Sequence, residues 1–563
     1  MNSQSTLAKH PLFRIQVEKL ATDERVALAY KRAKLMLSTH TMTASDVQHS
    51  SERFWGLFTD PATCLDIGMF TILAAHVGLT IGTLSRHLDT RPDLRPLVSE
   101  LLRFEKVGIF LLTERGHGLD AFNIETTATR MPDGSYILNT PREEATKFMP
   151  ASTPAFGIPK VALVMARLMD NGKDLGCRYF IIPICDEKEM YRGVKSTRLP
   201  RRSGTGPLDF SIASFDNVRL PPTALVAADL QHITAPERPL EAWWDENWRI
   251  QLGSLLIVSP LIYAVKMSAY IVGSYSMHRC ITDRKSSSMI PIISFRTQQW
   301  PIAHAVAVGY VLDHWYASVI RESQDSALDG RLRHAMAVIT KATVVRHFQR
   351  CIAEISERCG AQGMFEQNYM ARMENDGKGA VVAEGEILTL CIRLFSELLL
   401  KRYTIALSDA DESLLAQHAH GLMEENGKLL AGIGDHRSKE FNSLILPQSQ
   451  PVIEALGHAF AYSAAKKANV PQPILDVYEC AVIRQDPAWY SEVGVSRVQQ
   501  RMREDRAVSS MLPHLRAYIS GMNMAGFATA PIVSNETWQA YVYELPVYTG
   551  NAQAKTNREY AML

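Results

Sequence analysis

The sequence predicts a mostly α-helical protein with a central β-domain. Three observations carry that prediction. Apolar residues recur at helical spacing up to about residue 110 and again beyond about residue 240. Between these regions, short runs rich in β-branched and aromatic residues are separated by turn signals. The resulting order is helical, β, helical, helical, whereas a doubly wound sheet would alternate strands with helices. A chain of 563 residues also requires several packed domains rather than one core. We divide it into segments 1–110, 111–235, 236–408 and 409–563.

In the first segment, ERVALAYKRAKLML (24–37) places Val26, Ala29, Tyr30, Ala33 and Met36 on one helical stripe. The stretch CLDIGMFTILAAHVGLTIGTL (64–84) is apolar nearly all round, which suits a helix buried among others. Its glycines lower helix propensity, so tertiary packing has to hold it. From 111 onward, ETTATR, SYILNT, ALVMARLM and CRYFIIPI read as strands divided by PDG and DNGKDLG turns. DFSIASFDNVRL (209–220) reads as a further strand pair or a bulged strand, closed by Pro221 and Pro222. Helical patterns then return. ILTLCIRLFSELLLK (387–401) spaces Leu388, Cys391, Phe395 and Leu398 along one face, and HAFAYSAAKKA and RMREDRAVSSMLPHLRAYISGM carry the pattern toward the C-terminus.

Composition narrows the function classes. With 60 Lys+Arg against 59 Asp+Glu, no net basic field draws the protein to nucleic acid or to an anionic membrane. Its 46% hydrophobic and 21% charged residues are an ordinary globular balance. The eight cysteines are scattered without a C-x-x-C pair, which reads as reduced thiols in an intracellular protein and not as a disulfide scaffold or metal site. No run of about 18 uninterrupted apolar residues suggests a transmembrane helix, and the N-terminus lacks the apolar core of a secretory signal.

Six short segments, in order, carry a resemblance. They are LLTERGHGLDAFNIETTATR (111–130), TPREEATKFMPAS (140–152), SIASFDNVRLPPTALV (211–226), IISFRTQQW (292–300), RCGAQG (358–363) and VVAEGEIL (381–388). Together they resemble the acyl-CoA oxidase family of the acyl-CoA dehydrogenase superfamily. That resemblance implies an N-terminal helical bundle, a β-barrel-like middle domain, a second helical bundle and the extra C-terminal helical domain of oxidases. It also implies FAD as cofactor, an acyl-CoA or carrier-bound acyl thioester as substrate, and molecular oxygen as electron acceptor. The products would be a trans-2-enoyl thioester and hydrogen peroxide.

The chemistry asks for a base at Cα, a hydride acceptor at Cβ and donors around the thioester oxygen. By the resemblance, Glu384 is the base, followed by Gly385 as in the family. Thr113 matches a flavin-contacting threonine, with Glu114 and the GHG turn shaping the loop beside it; His117 reads as a structural residue of that turn. Ala151 stands at an FAD-contacting glycine, with Phe148 and Met149 in place of paired tryptophans. Arg279 matches an arginine that binds the FAD diphosphate, a task suited to a fixed, forked charge. Ile281 replaces a glutamine there. Gln299 matches a position near the nucleotide half of FAD. Gly360 and Gly363 bracket a turn that reaches FAD from a neighbouring subunit, so a homodimer is implied. By the resemblance Gly385 and Glu386 are also FAD contacts, although Glu386 stands where oxidases have Asp, and Ile387 where they have Asn.

Two other readings stay open beside this one. One is a different flavin-dependent oxidation of a specialised intermediate on the same fold. The other is a degenerate homologue that binds an acyl thioester without flavin. The chain ends Ala561-Met562-Leu563, a degenerate version of a Ser-Lys-Leu-like peroxisomal signal, which leaves a peroxisomal or a cytoplasmic location.

Overall fold

The computed structural model describes residues 6–227, 235–325, 327–406 and 413–552. The C-terminal tripeptide and the expected boundary at 408/409 lie outside them.

The N-terminal helix Thr22–Thr39 buries the stripe Val26, Ala29, Tyr30, Ala33 and Met36 as its spacing requires. The apolar stretch that follows is helical from Ile67 to Ser85, with wider π-helical turns over Ala74–Ile81. Its glycines have a packing role. A Cβ on Gly82 would stand 2.2 Å from Arg249 Nε. The buried Arg249 instead lies along the helix and donates to the carbonyls of Gly78 and Val47, both at 2.7 Å. Two helical stretches, Ile67–Ser85 and Ile250–His278, are long and apolar enough to cross a membrane, but they are 78% and 83% buried inside this structure.

The β-domain contains two sheets. In the first, β5 (Lys160–Asp170) pairs in parallel with β1 (Val107–Leu111) and β2 (Thr127–Arg130) and antiparallel with β6 (Lys173–Cys185). β3 (Tyr136–Asn139) and β9 (Val218–Leu220) extend it beyond β2. The second sheet is β4 (Lys147–Phe148), β8 (Ser211–Phe215) and β7 (Val194–Arg198), with β8 in the centre. The segment 209–220 is the expected strand pair. It crosses from the second sheet to the first through Asn217, whose φ is 46°. The Thr140 N–H donates to the Phe215 carbonyl at 2.8 Å and holds that corner.

Three differences from the sequence reading have local causes. β1 starts at Val107, ahead of the expected change at 111, because its apolar residues continue the pattern of the preceding helix. VKSTR (194–198) forms a strand despite its polarity, since it lies at a sheet edge with one neighbour. Leu388 is 41% exposed, although its spacing put it on the buried face of the helix Ile387–Leu399. The buried face is set by Ile387, Cys391, Leu394, Phe395 and Leu398, which leaves Leu388 at its rim.

Beyond the β-domain, the long helices Ser259–His278, Arg296–Ser323 and Gly330–Ser356 pack on one another, and Ile387–Leu399 packs on the last of them. The helices Leu414–Ile433, Ser449–Lys467 and Gln472–Ile483 close the far side. The stretch 501–522 is helical but interrupted over Leu512–His514, where Pro513 removes a donor. All eight cysteines are free thiols; seven are buried and Cys280 is half-buried.

Candidate active site

Glu384 sits in a tight connection between two helices. Met370–Val382 ends at Ala383, and Glu386 caps the next helix, Ile387–Leu399. Between them the backbone turns left-handed twice, with φ of 55° at Glu384 and 90° at Gly385. Gly385 tolerates this freely, whereas a glutamate there must be held by its surroundings. Ser254 Oγ donates to the Glu384 carbonyl at 3.1 Å. Lys341 Nζ donates to the carbonyls of Ala383 and Gly385, one on each side of Glu384. The carboxyl group lies over Gly253: a Cβ there would be 2.4 Å from Glu384 Oε2.

Glu384 as a residue is half-buried, but its carboxyl end is the desolvated part. Burial raises its pKa above the ordinary carboxylate range, and the charge of Lys341 only partly opposes this. The same burial lowers the pKa of Lys341. Tyr179 of β6 is close enough for Glu384 to act on it: burial raises its phenol well above the ordinary value, and the charges of Glu246 and Glu384 add to the rise. Tyr179 Oη donates to Asn247 Oδ1 at 2.6 Å, linking the β-domain to the helices that carry Gly253 and Ser254.

Glu386 behaves differently. Its carboxylate accepts from the N–H groups of Leu388 and Thr389 at 3.0 and 2.9 Å and from Thr389 Oγ1 at 3.0 Å. Burial raises its pKa, but these bonds outweigh burial and the net shift is downward. It is an N-cap turned toward its own helix.

A second group of residues expected at the site lies on the β-domain. Thr113 follows β1 and is exposed, and its carbonyl accepts the Phe148 N–H at 3.0 Å. Phe148 is itself 40% exposed. Beneath them Glu114 and Lys147 form a fully buried ion pair at 3.0 Å. Glu114 also accepts from Glu125 N, Thr126 N and Thr126 Oγ1. His117 bonds to Glu125 at 2.8 Å, a structural place in the turn. The Ala151 carbonyl accepts from Lys160 Nζ at 2.8 Å, and Lys160 pairs with the buried Asp209 at 2.6 Å. Tyr30 and Thr153 donate to the same carboxylate, which ties this edge to the first long helix.

The third group lies on the helical bundle. Arg279 ends the helix Ser259–His278 with its side chain exposed, and Ile281 follows it in the hairpin Cys280–Thr282 / Met289–Pro291. Gln299 is buried and donates to the Ile293 carbonyl at 2.9 Å, so it braces the local turn. Its neighbour Gln298 bridges Ser276 Oγ and the Arg358 carbonyl, which brings the 358–363 turn beside the Arg279 end of the bundle. Gly360 has a φ of 57° and open space where a Cβ would stand, and a Cβ on Gly363 would meet the Ser356 carbonyl at 2.2 Å. Arg279, Gln299, Gly360 and Gly363 are thus gathered on one part of the bundle, while Thr113 and Ala151 share the β-domain edge.

These features fit a flavin dinucleotide in part. The exposed Thr113 hydroxyl, the exposed guanidinium of Arg279 and the bare backbone at Gly360 can reach a ligand. Gln299 and Glu386 are spent on protein contacts. Sequence patterns do not single out Lys341 or Gly253; the available signal was a lysine set in the buried stretch Val338–Val345.

No family model matches the sequence. Among curated proteins, human peroxisomal acyl-coenzyme A oxidase 3 is 28% identical over 314 residues, 51% of this chain and 44% of that protein. The Caenorhabditis elegans probable acyl-coenzyme A oxidase acox-1.5 is 24% identical over 343 residues, 57% and 50% of the two chains. The chain thus spans about half the length of the curated relatives it matches. Among solved structures, acyl-CoA oxidase 1 of Yarrowia lipolytica superposes with a TM-score of 0.79 at 16% identity, covering 99% of this chain and 90% of that one. Acyl-CoA oxidase-1 of C. elegans, solved with FAD and ATP, gives 0.72 at 16% identity and covers 100% and 99%. The fold is that of the acyl-CoA oxidases.

Proposed function

We propose that this relative of the acyl-CoA oxidases dehydrogenates an acyl thioester between its α and β carbons, with Glu384 as the base. The supporting observation is the Glu384 turn. A carboxylate is held by backbone contacts on both sides, laid over a glycine, and given a raised pKa by burial. A base of that kind is matched to a weakly acidic Cα–H bond. FAD, when bound, supplies the hydride acceptor at Cβ.

Thr113, Ala151 and the exposed Phe148 would line the flavin edge on the β-domain, braced by the buried Lys147–Glu114 and Lys160–Asp209 pairs. Arg279 and the backbone at Gly360 and Gly363 would meet the phosphate-bearing half on the bundle. Met289, Phe295, Met364 and Phe365, close in sequence to those positions, are 63%, 41%, 73% and 50% exposed. An apolar surface of this kind suits the homodimer that would bring a neighbour's turn to the cofactor. In the complete reaction, acyl thioester and oxygen give trans-2-enoyl thioester and hydrogen peroxide. The peroxisomal name of the human relative supports a peroxisomal setting.

The test is to purify the protein with FAD, record its visible spectrum, and assay peroxide release with a panel of acyl-CoAs. Flavin bands and peroxide with at least one acyl-CoA are expected. A colourless protein that cannot be reconstituted would favour the flavin-free reading. A flavin that bleaches with acyl-CoA yet stays reduced in air would exclude the oxidase assignment.

A further inference from the structure

Lys341 occupies the middle of the helix Gly330–Ser356, between the buried residues Val338, Thr340, Ala342 and Val345, and is itself completely buried. Burying an ammonium group is costly unless its donors are satisfied. Here they go to main-chain carbonyls. Ala383 is the residue at which the helix Met370–Val382 ends, and Gly385 is the second left-handed residue of the turn. The two accepting residues flank Glu384, whose own carbonyl accepts from Ser254 Oγ. A lysine that served only to close a helix would need the Ala383 contact alone. The Gly385 contact has no such purpose, because that carbonyl lies beyond the helix end.

Building on the reading of Glu384 as base, we propose that Lys341 is a positioning residue: by gripping the carbonyls on either side of Glu384, it holds the left-handed turn that lays the carboxylate over Gly253. Without it, Glu384 would relax toward an ordinary backbone conformation, and its carboxyl group would leave the place set by Gly253. The lysine also bears on protonation. The groups acting on Lys341 are Glu384 and Glu386 from the turn and Cys391 from the following helix, and Tyr179 faces Glu384 from the sheet. Of these, Lys341 carries the positive charge and favours the ionised base, and Tyr179 is neutral with its phenol raised. Loss of the lysine charge therefore makes Glu384 harder to ionise.

The probe is 3,3-dimethylbutanoyl-CoA, which has α hydrogens but no β hydrogen and so reports proton removal without hydride transfer. Glu384 takes a proton from Cα to leave an enolate, solvent exchange turns the carboxylic acid into its deuterated form, and the deuteron returns to Cα. The flavin-loaded protein is incubated with the probe in D2O, and deuterium at Cα is followed by mass spectrometry across pH. Lys341→Met should slow exchange about 10- to 100-fold, the scale of a small misplacement of a reacting group. It should also move the acid limb to higher pH while leaving flavin content and probe affinity unchanged. Lys341→Gln keeps donors without charge, so it should retain more of the rate yet show the same shift of the limb. Lys341→Arg keeps both and should restore the limb.

Unchanged exchange and an unchanged limb in folded Lys341→Met would overturn the proposal. An equal loss in all three variants with no shift of the limb would also overturn it, as would a Lys341→Gln limb matching that of Lys341→Arg if the Met variant fails to fold. Absence of exchange in the unaltered protein would instead remove the assignment of Glu384 as base, and this inference with it.

Discussion

Buried lysines meet buried carboxylates in two regions of this protein, with opposite results. In the β-domain, Glu114 faces Lys147 and Asp209 faces Lys160, all four side chains fully buried. In the bundle, Glu384 shares its surroundings with Lys341. Burial raises all three carboxyl groups. For Glu114 the charge of Lys147 and bonds from Thr126 and Glu125 outweigh it, and for Asp209 the charge of Lys160 and bonds from Lys160, Thr153 and Tyr30 do the same. Both end below the ordinary value. Glu384 ends above it, because Lys341 gives its donors to the neighbouring carbonyls and only its field to the carboxylate. Lys147 is lowered despite its partner, since desolvating the ammonium exceeds what Glu114 returns. The difference therefore lies in the lysine charge together with the direct hydrogen bonds that Glu114 and Asp209 receive and Glu384 does not. Satisfied carboxylates build a platform, and an unsatisfied one retains the capacity to take a proton.

The largest effect should come from breaking the platform. Glu114→Leu leaves the Lys147 ammonium buried without its carboxylate and should cost about 3–5 kcal/mol in chemical denaturation. The double variant Glu114→Leu/Lys147→Met should recover much of that loss. If the single variant is as stable as the unaltered protein, the platform side of the comparison is wrong.

Glu384→Gln should do the reverse, sparing stability and flavin binding while slowing anaerobic flavin bleaching by acyl-CoA at least about 100-fold. Glu386→Gln should bleach nearly normally, since its carboxylate is occupied as a helix cap. A collapse in the second variant with normal bleaching in the first would move the base to Glu386.

The two regions should also separate on a pH axis. Glu384 is raised, so proton removal should grow as pH climbs through a value above the about 4.3 of a free glutamate. Glu114 and Asp209 are lowered, so their stabilisation is present above their unfolded values of about 4 and is lost as pH falls through their folded values. Near about pH 5 the protein should then be folded but slow. Parallel stability and rate profiles that fall together would erase the distinction. The smallest effect is Glu386→Ala, which should cost about 1 kcal/mol as a lost helix cap and leave the bleaching rate within about twofold, a rate change worth less than 1 kcal/mol.

The fold was largely legible in the sequence because its signals are local. The stripe from Val26 to Met36, the PDG turn and the β-branched runs each report their own segment. Edge strands escaped, since VKSTR pairs through its backbone and shows nothing in its side chains. For the site, Glu384 stood out through its segment, but the reason it can be held did not. Lys341 lies 43 residues before it on another helix, and Gly253 more than a hundred residues before it. Gln299 and Glu386 show the converse: a matched position says which residue is present, and only packing says whether its polar atoms are already engaged.

The Arg249 that fills the space left by Gly82 and bonds to the Gly78 carbonyl has a consequence in time. It closes contacts 202 residues apart in sequence, and Ser259 with Phe58 and Tyr30 with Asp209 do the same over 201 and 179 residues. During synthesis at about 5–20 residues per second, roughly 10–40 s pass between the emergence of the N-terminal helices and the arrival of the partners that cover them. For that interval the apolar stretch Ile67–Ser85 can pack on the helix Thr22–Thr39 and on β1, but the face that meets the helix Ile250–Leu256 stays bare. A nascent chain of this protein should therefore depend on chaperone cover until the helix bearing Arg249 has left the ribosome, and halting translation before that point should leave a chain prone to aggregate.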